Sequence, residues 1–205
     1  MNEFENRCRT LNKIGRLLIL SGPSGVGKST IRDLVLAQSP VSLHLSVSAT
    51  TRSPRSQEKN GVDYYFFSPE EFQKMREADG FVECKEVFGR NVWYGTLRSE
   101  VEEHLSAGRW VMLEIDVDGA SDVVARYPDA ITVFIAPPSL EELESRLRSR
   151  GTESEDAIRN RLSRAQYELD RSGSYRYRVV NEDLNAAVNE FCEIIRKEEI
   201  GERDD

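Results

Sequence analysis

Gly22-Pro23-Ser24-Gly25-Val26-Gly27-Lys28-Ser29 satisfies the pattern G-x-x-x-x-G-K-[ST]. At ordinary residue frequencies such a match arises by chance in about one in a hundred chains of this length. The chemistry is phosphate binding: backbone N–H groups of the loop converge on phosphate oxygens, with the N-terminus of the following helix behind them. Lys28 is placed to reach the β- and γ-phosphates, and Ser29 to offer its hydroxyl to Mg2+. A nucleoside triphosphate is the expected ligand. Whether it is hydrolysed, sensed or used as a phosphoryl donor has to be read elsewhere, because a P-loop serves all three.

A second substrate is suggested by Arg52 and Arg55, three residues apart in the polar stretch Ser48–Gly61. A nucleoside monophosphate carries about two negative charges at neutral pH, and guanidinium forks match phosphate oxygens, so the pair makes a plausible clamp. Tyr64 and Tyr94 can add hydroxyl donors. Arg146 and Arg150 stand one helical turn apart and Arg161 follows in the next helix, where extra cations would spread the charge of a phosphoryl group in flight. Arg148, Arg159 and Arg164 read as a solvated helix face. Glu114 and Asp116 end an apolar strand in the position of a Walker B acid, suited to water-mediated support of Mg2+ and to a contact with the monophosphate.

These residues need elements to hold them. Arg16–Leu20 is an apolar run entering the Gly-rich loop, and Ile31, Leu34 and Val35 continue as a helix face. Strands are expected at Leu43–Val47, Asp63–Phe67, Phe81–Phe88, Val92–Tyr94, Trp110–Ile115, Ile131–Ile135 and Tyr177–Val180. Helices are expected after Ser68-Pro69-Glu70-Glu71, ending at Gly80, and after Thr96 as a cap, closed by Gly108. Further helices begin at Ser139-Leu140-Glu141-Glu142, at Thr152-Glu153-Ser154-Glu155 and after Asn181-Glu182-Asp183; the charged tail from Arg196 should fray. Strands alternate with helices at both ends of the chain, whereas strands between Leu43 and Tyr94 follow each other through short turns. The expected fold is therefore α/β, a parallel sheet core flanked by helices with an inserted, mainly antiparallel lobe.

Composition narrows the function class. The 205 residues amount to about 1.4 domains at ~150 residues each, one domain with extra lobes. Twenty-eight basic against 36 acidic residues give a net charge of −8, which offers no global field for a nucleic acid or an anionic membrane. Cys8, Cys84 and Cys192 lack disulfide or zinc spacing, and His44 and His104 lack a partner at catalytic or metal spacing. The longest wholly apolar stretch, Leu17-Leu18-Ile19-Leu20, is far short of a membrane span, so a cytoplasmic protein is expected.

Ser46-Val47-Ser48-Ala49-Thr50-Thr51-Arg52-Ser53-Pro54-Arg55, Gly61-Val62-Asp63-Tyr64 and Tyr94-Gly95-Thr96, together with the P-loop, resemble the guanylate kinase family, whose members move the γ-phosphate of ATP to GMP. Leu113-Glu114-Ile115-Asp116, Ile135-Ala136-Pro137-Pro138-Ser139, Arg146–Thr152 and Asn181-Glu182-Asp183-Leu184 extend the likeness through most of residues 16–200. The resemblance implies a P-loop NTPase-type core at about 14–47, 96–138 and 172–200, a GMP-binding lobe at about 48–95 and a helical lid at about 139–171, with mobile tails at 1–13 and 197–205. It assigns ATP to Gly22, Pro23, Ser24, Gly25, Val26, Gly27, Lys28, Ser29, Thr30 and Asn181. The GMP phosphate falls to Arg52, Arg55, Tyr64 and Tyr94, with Glu58 helping to hold the loop. Glu83 accepts from guanine N1 and N2, Ser48 and Thr96 supply hydroxyls to the base, and Glu114 and Asp116 complete the GMP contacts. Lys28, Arg52, Arg146, Arg150 and Arg161 would carry the catalysis, with Mg2+ held by Ser29 and, through water, by Asp116 or Glu114.

Four departures from the family pattern stand out: a longer Gly89–Tyr94 turn, Gln57 in place of a Gly, Asp118 in place of a common Gln, and Cys84-Lys85 in place of a bulkier pair. The reading is an ATP:GMP phosphotransferase acting on GMP and dGMP, with no nucleic-acid or membrane partner and with monomer or homo-oligomer left open. Two alternatives stand beside it: a guanylate-kinase-like binding module, against which the intact P-loop with Lys28 argues, and a monophosphate kinase for another base, against which Glu83 argues.

Overall fold

The computed structural model describes residues 15–87, 91–149 and 154–201. Nine strands and seven α-helices occur in the order β1 (Leu17–Ser21), α1 (Lys28–Gln38), β2 (Leu43–Leu45), β3 (Ser48–Thr50), β4 (Tyr65–Phe66), α2 (Pro69–Glu77), β5 (Phe81–Val87), β6 (Val92–Leu97), α3 (Arg98–Ser106), β7 (Trp110–Glu114), α4 (Val117–Arg126), β8 (Ile131–Ala136), α5 (Leu140–Ser149), α6 (Glu155–Asp170), β9 (Tyr177–Val180) and α7 (Leu184–Ile200) among the described residues. The chain divides into two compact units, one drawn from Met1–Leu17 and Ser46–Val111, the other from Leu18–Leu45 and Met112–Asp205.

The second unit is built on a five-stranded sheet of order β2-β7-β1-β8-β9. β1 runs parallel to β8, and β8 parallel to β9. Every residue of β1 and β8 is buried, the pattern of strands covered by helices on both faces. Leu143, Leu147 and Ala165 join α5 to α6 in a small core of their own. α7 continues to Ile200, through the charged stretch expected to fray. Glu198 is the reason: it is 2% exposed and accepts from Arg176 at 2.7 Å and Tyr177 Oη at 2.8 Å, which ties the last turns to the start of β9.

The first unit is a mixed sheet of order β4-β3-β6-β5. β3 is antiparallel to β6 and β6 to β5, while the short β4 lies parallel to β3. Its core is Ala49, Phe72, Phe81 and Leu97, with the Phe72 and Phe81 rings stacked at 4.3 Å. α2 starts with a full capping box, Ser68 accepting from the Glu71 N–H and Glu71 returning to the Ser68 N–H.

Several local expectations change. β3 forms inside the stretch expected to be loop from Ser48, β2 stops at Leu45, and β4 shrinks to two residues because Asn60–Asp63 are held in a turn. Thr96 does not cap α3; it belongs to β6, which runs on to Leu97, and the helix starts at Arg98 without a side-chain cap. The left-handed residue after α2 is Asp79, at φ 54°, rather than Gly80. The helix α4 was not foreseen. Asp116 caps it by accepting from the Asp118 and Gly119 N–H groups, and its apolar positions Val117, Ala120 and Val123 recur at the helical period.

Candidate active site

In the second unit β1 delivers the chain into the Gly-rich loop. Gly22 sits at φ 146°, and a Cβ there would lie 2.2 Å from the Ile135 carbonyl of β8, so the loop can leave the sheet only as glycine. Gly27 at φ 97° opens α1, and a Cβ on it would lie 2.7 Å from Asn181 Nδ2. Asn181 follows β9 directly. Its N–H donates to the Ala136 carbonyl at 2.8 Å and its side-chain amide to the Val26 carbonyl at 2.7 Å, which fixes the loop from the side.

Lys28 bends back over the loop, donating to the Gly22 carbonyl at 2.5 Å and to the Pro23 carbonyl at 3.1 Å. Burial lowers its pKa, and Glu114, Glu168 and Asp116 act in the opposite sense. Ser29 and Thr30 are exposed in the first turn of α1. Arg161 of α6 donates to Ser24 Oγ at 3.0 Å, and Arg146 of α5 to the Asn181 carbonyl at 3.1 Å and to Glu142 at 2.8 Å. Arg150 lies outside the described residues.

The two strand-end acids are engaged by arginines. Arg32, one turn beyond Lys28 on α1, reaches Glu114 at 2.6 Å. Arg164 of α6 bridges Asp116 at 3.1 Å and Asp118 at 2.9 Å, and its Nε donates to Glu168 at 3.1 Å. Arg164 is thus no solvated helix-face residue. Arg148 and Arg159 are, pairing with Glu144 and Glu155 and with Asp156 at the surface.

In the first unit one cross-strand row carries three polar side chains. Ser48 of β3 is registered with Thr96 of β6, and Thr96 with Glu83 of β5, so all three project from one face. The Thr96 hydroxyl donates to Glu83 Oε1 at 2.7 Å and orients the carboxylate. At the end of β3 the Arg52 N–H is held by Thr50 Oγ1 at 3.1 Å. The Arg52 guanidinium forms a two-pronged pair with Glu58, 2.9 Å for each bond, donates to the Ser53 carbonyl at 2.8 Å and reaches Tyr94 Oη at 3.3 Å. The Tyr64 ring lies beneath it at 5.4 Å. Arg55 differs: its N–H donates to Glu58 at 2.7 Å, while its side chain is 78% exposed.

The Arg52 bonds and the Arg55 N–H hold the Glu58 carboxyl below its ordinary 4.5. A carboxylate with a depressed folded pKa contributes stability that is full above the unfolded value and lost as pH falls through the folded one. Stability measured by urea unfolding is therefore expected to fall as the pH is taken below the ordinary carboxylate value of 4.5 and through the lower folded-state one, and the fall to shrink in Glu58→Gln. An equal acid slope in both proteins would contradict this.

The guanylate kinase family model matches residues 14–198. The chain is 50% identical over 182 residues to the guanylate kinase of Rhodopirellula baltica, covering 88% of this chain and 87% of that one. It is 51% identical over 177 residues to that of a Synechococcus strain, covering 86% and 93%. The chain belongs to the guanylate kinase family. Among solved structures, the crystal structure of guanylate kinase from Anaplasma phagocytophilum matches with a TM-score of 0.73 at 33% identity, covering 92% of this chain and 88% of that chain.

Membership makes the chain a nucleotide-binding kinase of the transferase class. No helix among the described residues is long and apolar enough to cross a membrane. For a guanylate kinase, the exposed Ser29 hydroxyl and the Glu114 and Asp116 carboxylates are hard oxygen donors of the kind Mg2+ takes. The residues that sequence reasoning missed are Arg32, Arg164 and Glu168. A signal existed, since Arg32 stands four residues after Lys28 and Glu168 four after Arg164, the spacing of side chains that meet on a helix.

Proposed function

We propose that this guanylate kinase moves the γ-phosphoryl group of ATP to GMP, with dGMP as a second acceptor, by positioning and charge stabilisation. The observation that carries the acceptor reading is the row Ser48–Thr96–Glu83, an oriented carboxylate beside two hydroxyls, with the Arg52 guanidinium in the bend just beyond the end of β3. Guanine presents N–H donors where adenine presents a ring acceptor, so a carboxylate fits its edge. Arg52, Arg55, Tyr64 and Tyr94 would take the phosphate, and Glu58 would keep Arg52 extended for it.

On the donor side the loop N–H groups, Lys28, Ser29, Thr30 and Asn181 would hold ATP. No strong general base is needed, because the attacking GMP phosphate oxygen is already largely ionised, its second pKa being about 6. The oxygen–phosphorus bond between the β- and γ-phosphates breaks, a new one forms to the GMP phosphate, and ADP leaves. Lys28, Arg146, Arg150 and Arg161 would neutralise the charge spread over the transferred oxygens. When bound, Mg2+ would draw charge from the β- and γ-oxygens, held by Ser29 and through water by Asp116 or Glu114.

Coupled measurement of ADP formation over GMP, dGMP, AMP, UMP and CMP tests the acceptor: turnover with GMP and dGMP is expected, and a preference for AMP would overturn the role of Glu83. Arg52→Ala should raise KM for GMP by about 10- to 100-fold and lower kcat little, because it removes ground-state phosphate binding. Arg150→Ala should lower kcat by about 10²-fold with KM for GMP nearly unchanged. Equal effects on both parameters in both variants would contradict this division.

A further inference from the structure

Three carboxylates surround Lys28 electrostatically, those of Glu114, Glu168 and Asp116. Among the described residues none of them accepts a hydrogen bond from Lys28, whose bonds go to the Gly22 and Pro23 carbonyls. Each is instead taken by an arginine. Arg32 holds Glu114 at 2.6 Å, and Arg164 holds both Asp116 and Glu168 at 3.1 Å. Glu168 is the most demanding of the three. It is 7% exposed, its Oε1 takes the Arg164 Nε, and its Oε2 is buried with no hydrogen-bond partner among the described residues. A buried carboxylate deprived of its cation must find another or give up its charge, and besides Arg164 the cation whose charge acts on it is Lys28.

We propose that Arg32 and Arg164 are positioning residues for ATP capture: each occupies carboxylates that would otherwise pair with Lys28, and so reserves that ammonium for the polyphosphate. The proposal rests on the reading of Lys28 as the phosphate-binding lysine. A lysine in a closed ion pair would have to break it before binding a phosphate, whereas one resting on two carbonyls exchanges neutral acceptors for charged ones.

Calorimetric titration with ATP and, separately, with GMP tests this without relying on turnover. In Arg164→Gln the Glu168 carboxylate turns to Lys28, and ATP binding is expected to weaken about tenfold while GMP binding holds within about twofold. Arg164→Lys keeps the cation and should bind ATP within about threefold of wild type. The double variant Arg164→Gln/Glu168→Gln removes the orphaned charge, and should recover most of the ATP affinity lost in Arg164→Gln. A purely structural role for Arg164 would give no such recovery, and the loss would extend to GMP. Should Arg164→Gln fail to fold, Arg32→Gln, which releases Glu114, is expected to weaken ATP binding by a similar factor. Unchanged ATP binding in the folded single variants, or a double variant that binds ATP no better than Arg164→Gln, would overturn the proposal. Wild-type protein that binds no ATP would instead overturn the reading of Lys28 beneath it.

Discussion

Replacing Lys28 with alanine is expected to lower kcat by about 10³-fold, the largest single loss in the molecule. The ammonium rests on the Gly22 and Pro23 carbonyls, inside the loop whose N–H groups would cradle the phosphates. On the proposed reading, as the γ-phosphoryl group leaves the β-phosphate its charge spreads over oxygens that Lys28 would meet, and no other lysine lies in the loop or in α1. Burial strengthens the effect, since a cation in a water-poor site interacts more strongly than one in bulk solvent. Lys28→Met, which retains most of the apolar stem, should lose nearly as much as alanine, and Lys28→Arg should recover only part of it. Steady-state kinetics with saturating GMP reads the effect. A kcat within tenfold of wild type in the alanine variant would remove Lys28 from the transition state.

The second large effect falls on base choice. Glu83→Gln is expected to reduce kcat/KM for GMP by about 10³-fold while leaving KM for ATP unchanged. The substitution is nearly isosteric, so the Phe81–Val87 strand and its Thr96 contact should persist. On the proposed reading, what changes is that an amide N–H₂ would stand where a carboxylate oxygen would meet a guanine donor, leaving two donors facing each other. AMP, which sets a ring acceptor against that position, should lose nothing and gain slightly, so that discrimination between the bases falls from ~10⁴ or more towards parity. Competition assays with GMP and AMP measure the ratio directly. An unchanged GMP-to-AMP preference would show that some other residue reads the base.

Much of the donor side was legible because a P-loop is local: eight consecutive residues after an apolar strand specify both the turn and its ligand class. The capped starts of α2 and α5 were legible for the same reason, each written in four residues. Thr96 shows where local reading fails. A Thr before a helical pattern is a sound cap signal, yet Thr96 is paired on one side with Ser48 of β3 and on the other with Glu83 of β5, and ladder bonds on two sides outweigh one capping bond. α4 was missed because Asp116 was read only for its chemistry, when the same carboxylate also caps the helix. Arg164 was misread for a related reason. On α6 alone it is one of several arginines, and only the fold brings Asp116 and Asp118, some 46 to 48 residues earlier, within its reach. Contacts so distant in sequence leave no periodic trace.

The central claim is transfer of a phosphoryl group from one bound nucleotide to another, and the most direct measurement follows the phosphorus itself. Wild-type protein incubated with γ-labelled ATP, Mg2+ and GMP should move the label into the β-phosphate of GDP, with one ADP formed for each GDP and little inorganic phosphate released. Label appearing chiefly as inorganic phosphate, or remaining in ATP while GMP is present in excess, would contradict the account.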